Sequence, residues 1–223
     1  MSLSEERKKN KEESLNVWNG LAEVYQEKFQ PIRIYDESYR ELIKMIPPSS
    51  HVLELGAGPG MISSFVHASR NDLRFTITDA VPLMVELAAR NLPTAKVFQL
   101  DTDQISTLTE NYDAVIMGFL IPYLSMTELD DLFCDLKMKT NTNCVVYVSW
   151  VEGNEEASGW KINSRGERVY FYYHQGEKVL QSLLRYFSLT ESKLLQVEYP
   201  VENGQEIHSI AILKLRRKII GSI

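Results

Sequence analysis

The stretch best suited to hold a ligand is Val52-Leu53-Glu54-Leu55-Gly56-Ala57-Gly58-Pro59-Gly60, an apolar run that opens into three alternating glycines behind an acidic residue. Glycine lets the backbone turn sharply and lets a ligand approach where a Cβ would stand. A loop of this kind between a strand and a helix lies at the carboxyl end of the strand and beside the helix N-terminus, where open α/β sheets bind ligands. The spacing separates ligand classes. A dinucleotide fingerprint runs G-x-G-x-x-G. Its third glycine would fall at position 61, which is Met, and the glycines stand at 56, 58 and 60 instead.

Such a loop needs a strand before it and a helix after it. His51–Leu55 is a short apolar run, and Met61–Ala68 continues at helical spacing. Leu73–Thr78, Ala95–Leu100, Tyr112–Gly118 and Cys144–Trp150 read as four more strands. They are almost continuously apolar, as strands are when helices cover both faces of a parallel sheet. Pro82 sits where a first helical turn tolerates proline, ahead of Leu83, Met84, Leu87 and Ala88. Leu129, Leu132, Phe133 and Leu136 mark a further helix. Upstream, Trp18, Leu21, Ala22, Tyr25 and Phe29 share a helical face up to Pro31, and a second helix is expected over 36–45. Residues 4–14, a mixed-charge stretch, read as a frayed helix start or a mobile tail.

After Trp150 the rhythm changes. Glu152–Arg168 reads as a loop or small hairpin, Val169–Tyr173 as an aromatic strand, and Val179–Phe187 as a helix. Leu194–Val201 and Ile207–Leu215 flank Glu202-Asn203-Gly204, a strong hairpin signal. The expected fold is therefore α/β, a doubly wound, mostly parallel sheet that ends in an antiparallel pair.

The 223 residues suffice for one α/β domain, and a hydrophobic fraction of 44% supports a real core. A net charge of −6 disfavours a phosphate backbone as partner. Cys134 and Cys144 form no Cys-x-x-Cys and read as two buried, reduced thiols. None of the histidines at 51, 67, 174 and 208 stands in a metal-ligand spacing. No apolar run reaches the roughly 18 residues that a membrane helix needs, and the N-terminus is charged, so a cytoplasmic protein is expected.

An acidic residue followed by G-x-G-x-G resembles motif I of the class I methyltransferases that depend on S-adenosylmethionine (SAM). Two further features stand where that family places them: Asp79 at the end of the second strand and Asp101 after the third. The resemblance implies SAM as cofactor, S-adenosylhomocysteine (SAH) as product and no metal. It implies that Asp79 accepts from both ribose hydroxyls and Asp101 from the adenine amine. The implied cofactor site is Glu54, Gly56, Ala57, Gly58, Gly60, Asp79, Ala80, Met84, Asp101, Thr102, Met117 and Gly118, with Val81 and Met84 covering the adenine. It further implies a Rossmann-like seven-stranded sheet in the order 3-2-1-4-5-7-6, its last strand antiparallel. Within one domain, 1–223, residues 15–46 would form a helical cap and 51–150 the SAM-binding core. Residues 151–215 would supply a substrate-side insertion and the terminal hairpin.

Methyl transfer from a sulfonium needs alignment and a dry site more than dedicated catalytic groups, and it needs a base only when the nucleophile starts protonated. The candidates for that base are Tyr123 and His174. Candidates for acceptor contact are Trp18, Tyr25, Tyr123, Trp150, Tyr172 and His174, with Trp160 also in view. The [Asn/Asp]-Pro-Pro-aromatic string of adenine and cytosine amino-methyltransferases is missing after the fourth strand, where Ile121-Pro122-Tyr123 stands. Neither cysteine follows a proline, as cytosine C5 enzymes require. The expected function is methyl transfer to a small molecule by a monomer or homodimer. The alternatives are a protein or RNA methyltransferase and a non-catalytic SAM-binding protein.

Overall fold

The computed structural model describes residues 3–163, 165–201 and 204–218. Two helices come first, α1 (Leu3–Phe29) and α2 (Asp36–Met45). Strand and helix then alternate through β1 (His51–Leu55), α3 (Met61–Ser69), β2 (Arg74–Asp79), α4 (Pro82–Asn91), β3 (Lys96–Gln99), β4 (Tyr112–Gly118), α5 (Met126–Lys139) and β5 (Thr140–Val151). The hairpin β6 (Gly159–Ile162) and β7 (Arg168–Phe171) follows, then α6 (Gly176–Tyr186), β8 (Phe187–Val201) and β9 (Gly204–Arg217).

The main sheet has the order β3-β2-β1-β4-β5-β9-β8. Its first five strands are parallel, and β9 runs antiparallel to both β5 and β8. With β8 and β9 counted as the sixth and seventh strands, this is the expected 3-2-1-4-5-7-6. Alternation along each strand feeds two cores. Val115 and Met117 of β4 pack with Leu129, Phe133 and Leu183 on one face, while Ala114 and Ile116 pack with Leu42, Ile62 and Ala88 on the other. That double burial is why these strands read as unbroken apolar runs.

Four expectations change. Residues 4–14 are not a tail: α1 is continuous from Leu3, because its first turns have a surface to cover. Strand β8 begins at Phe187, well before Leu194, and its first half is exposed on both faces, so no apolar alternation marks it. Strand β5 starts at Thr140 rather than Cys144, since its polar start is held by pairing with the basic end of β9, Asn143 opposite Arg216. Cys134 is exposed on α5, and only Cys144 is buried. The hairpin signal at Glu202-Asn203 lies outside the described residues, but Val201 pairs with Gly204 on either side of it. Among the described residues no helix is long and apolar enough to cross a membrane.

Candidate functional site

Gly56 and Gly58 hold φ of +58° and +55°, values that L side chains rarely adopt. A Cβ on Gly56 would also stand 2.6 Å from Leu120 Cδ1. The loop is pinned by Asp79: Gly58 N donates to Oδ2 at 2.7 Å and Val81 N to Oδ1 at 2.8 Å. Burial raises the Asp79 pKa, against these amide bonds that favour the carboxylate. Glu54 is buried below the loop and accepts from Ser63 N and Ser63 Oγ. Burial pushes its carboxyl up to about 7, opposed by the two Ser63 bonds and helped by the charge of Asp79. Asp101 caps the 3-10 turn after β3, taking Thr102 N on Oδ1 at 2.6 Å, and the same oxygen takes Lys11 Nζ at 2.5 Å.

Over this loop lies a cavity of about 150 Å³. Of the expected cofactor residues, Gly56, Ala57, Gly58, Asp79, Ala80, Met84, Asp101, Thr102 and Gly118 line it, as do Val81 and Leu100. Glu54, Gly60 and Met117 do not. Glu54 lies on the other side of the loop, Gly60 packs against Ala88, and Met117 points into the core. The roof comes from α1 through Arg7, Asn10, Lys11, Ser14, Trp18 and Tyr25. The hairpin holds that roof in place: Tyr170 N donates to Ser14 Oγ at 2.9 Å, and Arg168 pairs with Glu13 at 2.5 Å.

A second cavity of about 660 Å³ adjoins the first. Trp18, Tyr25, Ala57, Gly118, Phe119 and Tyr123 line both. Trp18 stands edge-on to Tyr25 and Tyr123, with ring centroids 5.5 and 5.7 Å away, and these three rings divide the two spaces. The second cavity has an aromatic stretch of wall from Phe29, Tyr35, Tyr39, Phe171 and Tyr199, beside the carboxyl groups of Asp36, Glu54 and Glu206. Burial pushes the Tyr25 phenol up to about 12, with the charge of Asp79 adding to it, and raises Tyr123 further still, so both stay protonated.

The other sequence candidates lie apart. His174 is among the lining residues of neither cavity. Its Nε2–H donates to the carbonyls of Leu124 and Ile121 at 3.0 and 3.3 Å, which ties down the chain after β4. Trp150 is buried in the core with Nε1 donating to Glu152 at 2.9 Å, and Trp160 packs under the Arg168 guanidinium. Tyr172 lines only the first cavity.

Sequence reasoning missed the polar face of α1. It also missed the φ of 54° that Phe119 takes directly after β4, and the pair Tyr35–His208, bonded at 2.7 Å between Oη and Nδ1. Arg7, Lys11, Ser14 and Trp18 recur at helical spacing and were a legible signal. For the Tyr35–His208 pair, far apart in sequence, there was none.

The glycine motif and the sheet order together define the class I, Rossmann-like methyltransferase fold, with its ligand space at the carboxyl ends of β1, β2 and β4. Residues 52–139 match the family model of a methyltransferase domain. No curated protein matches it by sequence. Among solved structures it is similar to a DhpI–SAH complex, with TM-score 0.67 and 15% identity over 90% of this chain and 95% of that one. It is also similar to the N-methyltransferase NodS from Bradyrhizobium japonicum in complex with SAH, with TM-score 0.62 and 14% identity over 86% and 91%. A TehB-like SAM-dependent methyltransferase from Corynebacterium glutamicum gives TM-score 0.60 and 14% identity over 89% and 99%.

Proposed function

We propose that this chain moves the methyl group of SAM to a small-molecule acceptor, with SAM in the first cavity and the acceptor in the second. The observation that carries this reading is the pair of cavities meeting at Gly118 and Phe119, one lined by the glycine loop and Asp79, the other by aromatic rings. The residues fit the cofactor. The positive-φ glycines keep side chains away from it, Asp79 has lone pairs left for ribose hydroxyls, and Val81, Met84 and Leu100 offer an apolar slot to adenine. When bound, SAM supplies a methyl group activated on a sulfonium. The chain's own part is to align and to exclude water, which Trp18, Tyr25 and Tyr123 do at the junction. SAH in the DhpI and NodS complexes supports the cofactor assignment.

A cavity of about 660 Å³ is the size of a small-molecule pocket. It speaks against a non-catalytic SAM binder, which has no need of an acceptor chamber. The acidic balance speaks against RNA. We further propose that the chain acts in the cytoplasm, as one domain and as a monomer or homodimer. Calorimetric titration with SAM, SAH and NAD tests the reading. Micromolar binding of the first two and none of NAD is expected, and a folded protein that binds neither SAM nor SAH would overturn it.

A further inference from the structure

The wall of the second cavity contains a polar constellation that the cofactor does not use. Tyr35, between α1 and α2, donates its phenol proton to His208 Nδ1 of β9 at 2.7 Å. The Glu206 carboxylate faces Nε2 and favours the tautomer with its proton there, which leaves Nδ1 to accept from the Tyr35 phenol. That buried Nε2 has no hydrogen-bond partner among the described residues, and the Glu206 carboxylate stands 3.6 Å away. The separation is too long for a hydrogen bond but short enough to balance an imidazolium. Tyr199 of β8 stacks on the imidazole at 4.9 Å, and Phe119 meets it edge-on at 4.9 Å. Phe119 also lines the SAM cavity, so the constellation packs against the junction itself.

We propose that Tyr35, His208 and Glu206 form a proton-accepting relay, and that the acceptor is a planar aromatic compound methylated on a hydroxyl oxygen. This rests on the methyltransferase reading above and deepens it. The acceptor hydroxyl gives its proton to Tyr35 Oη as Tyr35 passes its own to His208 Nδ1. The acceptor oxygen forms the new bond to carbon, and the carbon–sulfur bond breaks with its electron pair going to sulfur. The positive charge lost from the sulfonium reappears on His208, opposite Glu206, and the half-buried Glu206 leads the proton on to solvent. His208 is matched to that task. Burial lowers its pKa against the opposing pull of Glu206, leaving the imidazole neutral and able to accept. The titratable groups facing it are Tyr35, Tyr199 and Glu206, and Tyr173 Oη donates to Glu206 at 3.3 Å.

The rest of the wall selects the acceptor. Its aromatic rings present faces and edges to a planar ring. Among the described lining residues the cations are Lys28 and Arg33, and both are engaged: Lys28 lies over the Phe29 ring, and Arg33 donates to the Gln30 and Ile32 carbonyls. These contacts leave both charges in place, but the carboxyl groups of Asp36, Glu54 and Glu206 line the same wall and outnumber them, which disfavours an anionic acceptor, the kind that would need no base.

The test begins without SAM, so that it stands apart from the cofactor reading. 4-Nitrophenol changes its absorbance on ionising. Bound to the wild-type protein just below its own pKa, its ratio of ionised to neutral form should be at least about tenfold that in solution, the scale set by a nearby charge. Glu206→Gln should reduce that gain and His208→Gln abolish it, while SAH affinity stays within about twofold in both. Glu206→Gln keeps the test usable if the buried histidine cannot be replaced without unfolding. With SAM added, His208→Gln should slow methylation of phenol on the order of a hundredfold, the scale of general-base catalysis. It should slow 4-nitrophenol, a far stronger acid than phenol and mostly ionised once the pH exceeds its own pKa, much less. Unchanged ionisation on binding, equal losses for both phenols, or preferential methylation of benzylamine would each overturn the proposal. Binding of SAM without turnover of any phenol would overturn it and leave the methyltransferase reading standing.

Discussion

Glu54 shows how one buried carboxylate couples the glycine loop to pH. Its pKa of about 7 in the folded chain, raised chiefly by burial, exceeds the ordinary value of 4.5. Between those values the unfolded chain releases a proton that the folded chain keeps, so stability falls as pH rises through the window. The full effect is about 3 kcal/mol. Glu54→Gln removes the titration. Without ligand, the variant should be more stable than wild type at about pH 8, and that advantage should vanish at about pH 5. Urea unfolding at both values checks it, and a pH-independent difference would show that Glu54 ionises normally. Asp79 has a different part. Asp79→Ala should weaken SAM binding by about 1.5–3 kcal/mol, the scale of hydrogen bonds to a charged group. The variant also frees the Gly58 and Val81 amides, so Asp79→Asn, which keeps one acceptor, should fall between it and wild type in the same titration. Equal affinity in all three proteins would remove Asp79 from the site.

Among the elements, α1 has the most to do for the least anchorage. Its first turns are tied down by the ion pairs Lys11–Asp101 and Glu13–Arg168 and by the Ser14–Tyr170 bond. Such partly exposed ion pairs are screened by water and contribute little. Farther along, Leu15, Trp18 and Tyr25 pack on Val81 and Met84 beside the cavity. The first turns should therefore open at little cost in the free protein, and SAH beneath them should slow amide hydrogen exchange across residues 3–15. Exchange that SAH leaves unchanged there would mean that α1 does not close over the cofactor. The helical spacing of these turns stood in the sequence, but what their polar face covers did not, since it answers to a cavity rather than to a core. The strands β1 to β5 were legible because two covered faces leave an apolar pattern. The first half of β8 was not, because Ser188, Thr190, Glu191 and Lys193 extend where only one edge has a partner. The glycine loop and Asp79 declared themselves by spacing. The Tyr35–His208 pair did not, because β9 brings His208 opposite Val151 only once the sheet is assembled.

Taken as a whole, the molecule places two cavities end to end at the carboxyl edge of its parallel strands and runs one strained residue between them. Phe119 holds φ 54°, a conformation that costs about 1–3 kcal/mol in a side-chain-bearing residue. Its N–H donates to Ser149 Oγ at 2.9 Å, and its ring packs on Tyr35 with centroids 5.3 Å apart. The strain is sustained by both flanking strands, so a ligand on either side should be felt by the entire fold. A ligand that binds the folded chain only, as SAH should, stabilises it by about 2.7 kcal/mol at a concentration a hundredfold above its dissociation constant. For a chain of this size that raises Tm by about 5–10 °C. NAD should leave Tm unchanged. Phenol should raise it further when SAH is present than when it is absent, because SAH orders Trp18 and Tyr25, which both spaces share. A thermal scan of the four combinations decides the matter: strictly additive shifts would mean that the cavities do not communicate, and no shift with SAH would mean that the first cavity is not its site.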